Sequence, residues 1–464
     1  MAAEAETLTL DSPPPQSQPE KVSVSFSIWP PTQRTRDAVL SRLIETLSLR
    51  PLRALQALRP GKMVLQCLTW IPHLLHQLIH SCITCKETVV GPLPDDVIID
   101  ILTRLPADFV LECRMVCTKW RKLISSPYFA EEHLKRVDQL TFVQLNCCIS
   151  YLRKFNMVII DEAAQRSARL TKICVGSESS MRKYHPKLFG SCNGLLLFQG
   201  WIDSTLLFVS NPTTHEELTL STPTQRGYPF GIFFHPSTRH YKLLYVQPGW
   251  QCYNYFIHTV GAKMWRQFTS FPYCPAWGAS AAISNESLHW MVNHQYKRLY
   301  ESGPCQHAIM VFRMETEKIH TMPHPGKVCQ SIEHTEMQLL EVKGCLSFCH
   351  IHKDHNLIDI WELEDYANWA WVGKYKVNLH WDVKRYPFEF NLVNCQIELL
   401  SVQNGELLLA WKSRGLFWYH LELNTVRKIQ MTGMMHLRTT PYRYLRAAAY
   451  SKTLVTLSEI AARA

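Results

Sequence analysis

The feature that most limits what this chain can become is a repeat that starts after residue 140. Each copy is an aromatic-rich strand, a polar turn and a shorter strand. It is plain in Phe208-Val209-Ser210-Asn211-Pro212 through Leu218, and again in Phe256-Ile257-His258-Thr259 through Trp265 and Phe268. Further copies are Val311-Phe312-Arg313-Met314 through Ile319, Ile360-Trp361-Glu362-Leu363 through Trp371, and Trp418-Tyr419-His420-Leu421 through Ile429. A degenerate first copy runs from Val158-Ile159-Ile160-Asp161 to Leu170. Another strand precedes most copies: Leu195 to Phe198, Tyr241 to Leu244, Leu288 to Met291, Cys345 to Phe348 and Leu407 to Leu409. The turns return roughly every 50 residues, a blade-sized period. One small sheet cannot cover both of its own faces. Packing such sheets radially buries those faces, and closing the ring protects the edges. The expectation for 140–440 is therefore an all-β propeller of about six blades by repeat count. A pair of β-sandwiches fits the alternation but not the recurrence.

The chain has 464 residues, more than one ordinary core holds, so at least two modules are expected. Apolar residues make up 46 % and charged residues 19 %, and Trp (14), Tyr (18) and Phe (19) supply the aromatic strands. The net charge of +10 is spread along the chain, without the clustered basic face that nucleic-acid binding needs. Residues 1–20 are polar and carry Pro13, Pro14 and Pro15, a disordered composition without the apolar run of a signal peptide. The sixteen cysteines are accordingly expected to be reduced. The stretch from Met63 to Cys85 lacks Lys, Arg, Asp and Glu, yet its histidines, glutamines and Pro72 argue for packed helix rather than a membrane span.

Between residues 91 and 135 the period is helical. Asp95 and Asp96 suit a helix start, Val97, Ile98, Ile101, Leu102 and Leu105 form one stripe, and Pro106 ends it. Asp108 is a candidate cap for a second helix. Phe109, Cys113, Val116, Cys117, Trp120, Leu123 and Ile124 form a second stripe, and Pro127 closes the block. Two stripes on so small a unit imply that a partner helix or a neighbouring domain covers one of them.

Leu93-Pro94-Asp95-Asp96-Val97-Ile98-Ile99-Asp100-Ile101-Leu102-Thr103-Arg104-Leu105-Pro106 resembles the first half of an F-box. Cys113-Arg114-Met115-Val116-Cys117-Thr118-Lys119-Trp120-Arg121-Lys122-Leu123-Ile124 resembles its second half. The repeat region resembles the plant-type, kelch-like F-box-associated domain, through Gly190-Ser191-Cys192-Asn193-Gly194-Leu195-Leu196 and the Asn211-Pro212-Thr213-Thr214 turn. The resemblance implies a substrate-recruiting subunit of an SCF-type cullin-RING ubiquitin ligase. In that family the F-box docks on a Skp-like adaptor, which is tethered to a cullin and a RING protein, and the β-domain holds the target. The chain itself then performs no chemistry and needs no cofactor. The adaptor-binding residues so implied are Leu93, Pro94, Ile98, Ile101, Leu102, Leu105, Val116, Cys117, Trp120 and Leu123.

Phe26-Ser27-Ile28-Trp29-Pro30-Pro31-Thr32-Gln33-Arg34-Thr35-Arg36-Asp37-Ala38-Val39 resembles the opening of a WPP domain, with Trp29, Pro30 and Pro31 as its signature. That family binds coiled-coil partners at the nuclear envelope, so a nuclear and cytoplasmic chain that visits the envelope is the implied alternative. The expected organisation is thus a disordered 1–20, a partial WPP-like helical segment over 21–50, a helical connector over 51–90, the F-box over 91–135, the propeller over 140–440 and a tail over 441–464.

Three other constellations carry possible chemistry. Gly190 to Gly194 fits a G-x-C-x-G nucleophile elbow, but Leu195 to Phe198 reads as a strand where that geometry needs a helix. Cys82 and Cys85 beside His80 make a lone CxxC, two ligands short of structural zinc. Cys345, Cys349, His350, His352 and His355, with Asp354 nearby, are denser and read as a strand and its turn. Neither set is taken as a metal site. Trp250, Tyr253, Tyr273, Trp277, Trp369 and Tyr386 fall in or near blade loops, where a target is expected to bind.

Overall fold

The computed structural model describes residues 21–23, 42, 94–137, 140–147, 155–160, 167–168, 186–200, 202–276, 280–293, 304–326, 333–342, 344–352, 357–379, 397–403, 405–411, 415–431 and 442–463. Six antiparallel sheets among these residues follow one another around a ring. Blade 1 holds Lys187–Cys192, Leu195–Gln199, Leu206–Asn211 and Glu216–Ser221. Blade 2 holds Tyr228–Phe234, Tyr241–Pro248, Tyr253–Thr259 and Arg266–Phe271, and blade 3 holds Ala282–Ser284, Ser287–Met291, Ile309–Arg313 and Lys318–Met322. Blade 4 comprises Met337–Val342, Cys345–His352, Leu357–Asp365 and Ala370–Asn378, and blade 5 Ile397–Gln403, Glu406–Trp411, Gly415–His420 and Thr425–Lys428. The sixth sheet has three strands and closes the ring. Tyr442–Tyr450 pairs with Leu140–Cys147, Leu140 opposite Tyr450, and Leu140–Cys147 pairs in turn with Phe155–Ile160. The expected propeller of about six blades is the fold found.

The blades cohere because both faces of their inner strands are covered. Leu195, Leu197, Leu207 and Val209 pack with Ile232, Leu243 and Tyr245 of blade 2. Leu196, Phe198 and Phe208, pointing the other way, pack with Ala448 and Tyr450 of blade 6. This two-residue alternation explains why Leu195 to Phe198 is apolar without a break. The same arrangement joins blades 2 and 3 through Phe230, Trp290 and Phe312, and blades 4 and 5 through Ile360, Leu409 and Trp411.

Meander topology places the first and third turns of blades 1 to 5 on one face of the ring. The second turns and the links between blades lie on the other. The first face is built of tight hairpins whose left-handed residues recur from blade to blade: Asn193, Arg239, Asn285 and Glu286 in first turns, and His215, Glu317, Trp369 and Asn424 in third turns. A helical module sits on that face.

Two expectations about boundaries are corrected. Residues 441–464 are no tail: Tyr442–Tyr450 is the innermost strand of blade 6, and Leu457 is fully buried against blades 1 and 2. Lys21–Ser23 is not helical but adds an antiparallel strand to the outer edge of blade 1, Lys21 opposite Thr219. Residues 1–20, the connector over 51–90 and the Trp29, Pro30, Pro31 signature lie outside the described residues.

Candidate functional site: the helical module and the two faces of the ring

Residues 94–137 form four helices: α1 (Asp95–Thr103), α2 (Ala107–Cys113), α3 (Thr118–Ile124) and α4 (Pro127–Leu134). Local chemistry sets each start. Pro94 and Pro106, held extended, precede α1 and α2, the Cys117 Sγ accepts from Trp120 N, and the Ser126 Oγ accepts from Phe129 N with Pro127 in the first turn. Pro127 therefore opens a helix where the sequence reading had the block close. Asp108 lies in the first turn of α2 rather than at its cap, and pairs with Lys452 instead.

The two apolar stripes pack mainly against each other. Ile98, Leu102, Leu105, Val116 and Trp120 are each under 5 % exposed, in one core with Phe109, Cys113, Ile124, Phe129 and Leu454. The fully buried His133 ties α4 to α1 through the Leu105 carbonyl, 2.9 Å from its Nε2, and burial lowers its pKa. Cover of the kind expected from a neighbouring domain comes from Leu454, and α4 completes the core. Ile98, Leu102, Leu105, Val116 and Trp120 accordingly hold the module together. Of the other implied adaptor residues, Pro94 is exposed, Ile101, Cys117 and Leu123 are half-buried, and Leu93 lies outside the described residues.

Against the propeller side, Asp108 pairs with Lys452 at 2.5 Å, Glu131 with Arg239 of blade 2 at 2.5 Å, and Leu454 enters the core. Lys119 pairs with Asp95 at 2.7 Å, which sets the starts of α1 and α3 side by side with Pro94 and Cys117. Tyr128, at the start of α4, is 59 % exposed. The stripe reading missed it because it falls off the apolar period. Arg42, in the WPP-like segment, pairs with Glu112 at 2.6 Å and lies over the Phe109 ring.

The other constellations come out as ordinary structure. Gly190 to Gly194 is a strand and a tight turn into another strand, and burial pushes the Cys192 thiol up to about 12, the wrong direction for a nucleophile. The His350 and His352 rings lie with centroids 4.0 Å apart, their planes tilted by 45°, and the His352 Nε2 lies 3.0 Å from Asp359 Oδ2. Cys349 is buried on the opposite side of that strand, Cys345 is exposed, and His355, Asp354, Cys82, Cys85 and His80 fall outside the described residues. No three metal-ligating side chains converge among the described residues. Of the loop aromatics, Trp250 is 93 % exposed, in the second turn of blade 2 opposite the hairpin face, and Trp369 lies on the hairpin face. Tyr253 and Tyr273 are half-buried, Tyr273 stacking on His307 at 5.0 Å. Trp277 and Tyr386 lie outside the described residues.

Comparison with known families accounts for this architecture. The model for the F-box associated beta propeller domain matches residues 144–454, two thirds of the chain. The chain belongs to the F-box associated beta propeller family. The F-box model matches 92–132, which is the four-helix module, and the WPP model matches 25–55. Similar proteins of Arabidopsis thaliana include F-box protein At3g07870, 24 % identical over 388 residues, covering 74 % of this chain and 88 % of that one. F-box/kelch-repeat protein At3g23880 is 25 % identical, covering 60 % and 78 %, and F-box protein CPR1 is 23 % identical, covering 72 % and 83 %. In this F-box propeller protein the family phrase around Asn193-Gly194 and the Asn211-Pro212 turn are both on the hairpin face, beside the F-box.

Proposed function

We propose that this chain recruits targets to an SCF-type cullin-RING ubiquitin ligase, the Pro94 end of its F-box docking on a Skp-like adaptor and the face of the ring opposite the hairpins binding the target. The observation that carries this reading is the polarity of the molecule. The propeller side holds the F-box through Lys452 on Asp108, Arg239 on Glu131 and Leu454 in its core, while among the described residues Pro94, Asp95 and Tyr128 are exposed, and the second turns of the blades lie on the opposite face of the ring. Within the proposal the contact side chains are Leu93 and Pro94, the half-buried Ile101, Cys117 and Leu123, and Tyr128. The chain supplies no acid, base or metal to the reaction. It holds the target's lysines near a loaded conjugating enzyme, and transfer follows from high local concentration. Affinity purification of the full chain, with and without residues 91–135, tests this. A Skp-like protein and a cullin should appear only with the F-box present; their absence from both samples counts against the reading.

The match of residues 25–55 to the WPP model supports a second, narrower proposal, a coiled-coil partner at the nuclear envelope for a chain of nucleus and cytoplasm. Residues 1–60 fused to a fluorescent reporter should then mark the nuclear rim, and a diffuse signal would end the idea.

A further inference from the structure

The segment that leaves the ring after Tyr450 touches both the propeller and the F-box, and does so with a two-residue alternation. On the propeller side the fully buried Asn211 donates from Nδ2 to the carbonyls of Thr453 at 3.1 Å and Val455 at 2.7 Å, while its Oδ1 accepts from Thr213 N at 2.9 Å. Thr453 Oγ1 donates to the Asn193 carbonyl at 2.8 Å. Gly194, at φ +80°, leaves the room: a Cβ there would stand 2.3 Å from Thr453 Oγ1 and 2.5 Å from the Ser451 carbonyl. Glu216 accepts from Leu457 N and from Ser458 Oγ at 2.9 Å, holding the start of α5 (Leu457–Arg463) against blade 1. Between the two anchored residues Thr453 and Val455, Leu454 turns the other way and is 5 % exposed in the core of the F-box. Extended chain sends neighbouring side chains to opposite sides, so one strand-like stretch serves both modules. The family phrase Asn193-Gly194 and the Asn211 turn are thus the seat of this segment.

We propose that residues 451–463 are an intramolecular tie that sets the angle between F-box and propeller, and with it the path from bound target to ligase. The proposal rests on the ligase reading above and deepens it. Arg239–Glu131, outside the tie, and Lys452–Asp108, within it, are largely exposed ion pairs of the kind that contribute little in water, whereas Leu454 is buried apolar surface. Arg114 of the F-box feels the carboxylates of both Glu216 and Glu459, so charge at the seat also reaches the module.

The full chain tests this with two variants that approach the tie from opposite sides. Lys452→Ala with Leu454→Ala frees the F-box side and leaves Asn211, Glu216 and Leu457 in place. Asn211→Ala loosens the propeller side. Both should broaden the small-angle scattering profile and speed tryptic cleavage at the exposed Lys135 and Arg136 by more than about tenfold, while the circular dichroism of the sheets stays that of the parent. Profiles and cleavage rates equal to those of the parent in both variants would overturn the tie. Capture of a Skp-like adaptor is scored separately: its absence from the parent chain speaks against the ligase reading, whatever the scattering shows.

Discussion

Gly194 is a residue whose side chain has to be a hydrogen. Its φ of +80° disfavours any L residue, and the Cβ of an alanine would overlap Thr453 and the Ser451 carbonyl. Gly194→Ala should lower stability by about 2 kcal/mol or more, read as a shifted urea midpoint. Buried histidines make a second residue-scale case. His289 is fully buried, with Nδ1 3.2 Å from the Ala282 carbonyl and Nε2 2.7 Å from the Tyr366 hydroxyl. A carbonyl only accepts, so Nδ1 carries the hydrogen and the neutral ring takes the tyrosine proton at Nε2. His258 is 3 % exposed, with Nδ1 3.3 Å from the Met264 carbonyl. Burial lowers both pKa values to about 4. Unfolded histidine titrates near 6.5, so the unfolded chain binds protons first as the pH falls. Stability is full above about pH 6.5 and lost between there and about pH 4, with a slope near 1.4 kcal/mol per pH unit for each histidine. Chemical denaturation at a series of pH values should show this fall, and His258→Gln should make it shallower.

The strands were legible in the sequence where their signal is local. The recurring pair of strands and the strand before it are the second, third and fourth strands of blades 1 to 5, because each copy folds on its own neighbours. The closing strand was not legible. Its partner Leu140–Cys147 is some three hundred residues away, and Ala447, Ala448 and Ala449 lack the branched and aromatic side chains that mark a strand. The apolar stripes of α1 to α3 were legible as packing surfaces, but which residues cover them was not. Whether a second stripe is covered depends on α4 and Leu454, and no local pattern joins residue 454 to residues 98–129. Asn211-Pro212-Thr213 was recognised as a turn; its role as a seat needed the same distant segment. At this scale the account predicts that deleting residues 442–463 opens the ring. The shortened chain should lose cooperative unfolding and expose apolar surface to a dye such as ANS; a sharp two-state melt would contradict the closure.

At the scale of the molecule the F-box sits on one face of the ring. The Arg239 hairpin holds it at Glu131, and the segment after Tyr450 holds it through Lys452 on Asp108 and Leu454 in its core, while Pro94 is exposed. The central claim is that the Pro94 end of the F-box is where a Skp-like adaptor binds. Isothermal titration of the full chain with such an adaptor, beside Leu93→Ala with Pro94→Ala, tests it most directly. The account predicts a one-to-one complex that the double variant weakens by roughly thirtyfold or more, on the order of 2 kcal/mol, with an unchanged circular dichroism spectrum. An unaltered affinity in the variant, or no heat of binding from the parent chain, would contradict it.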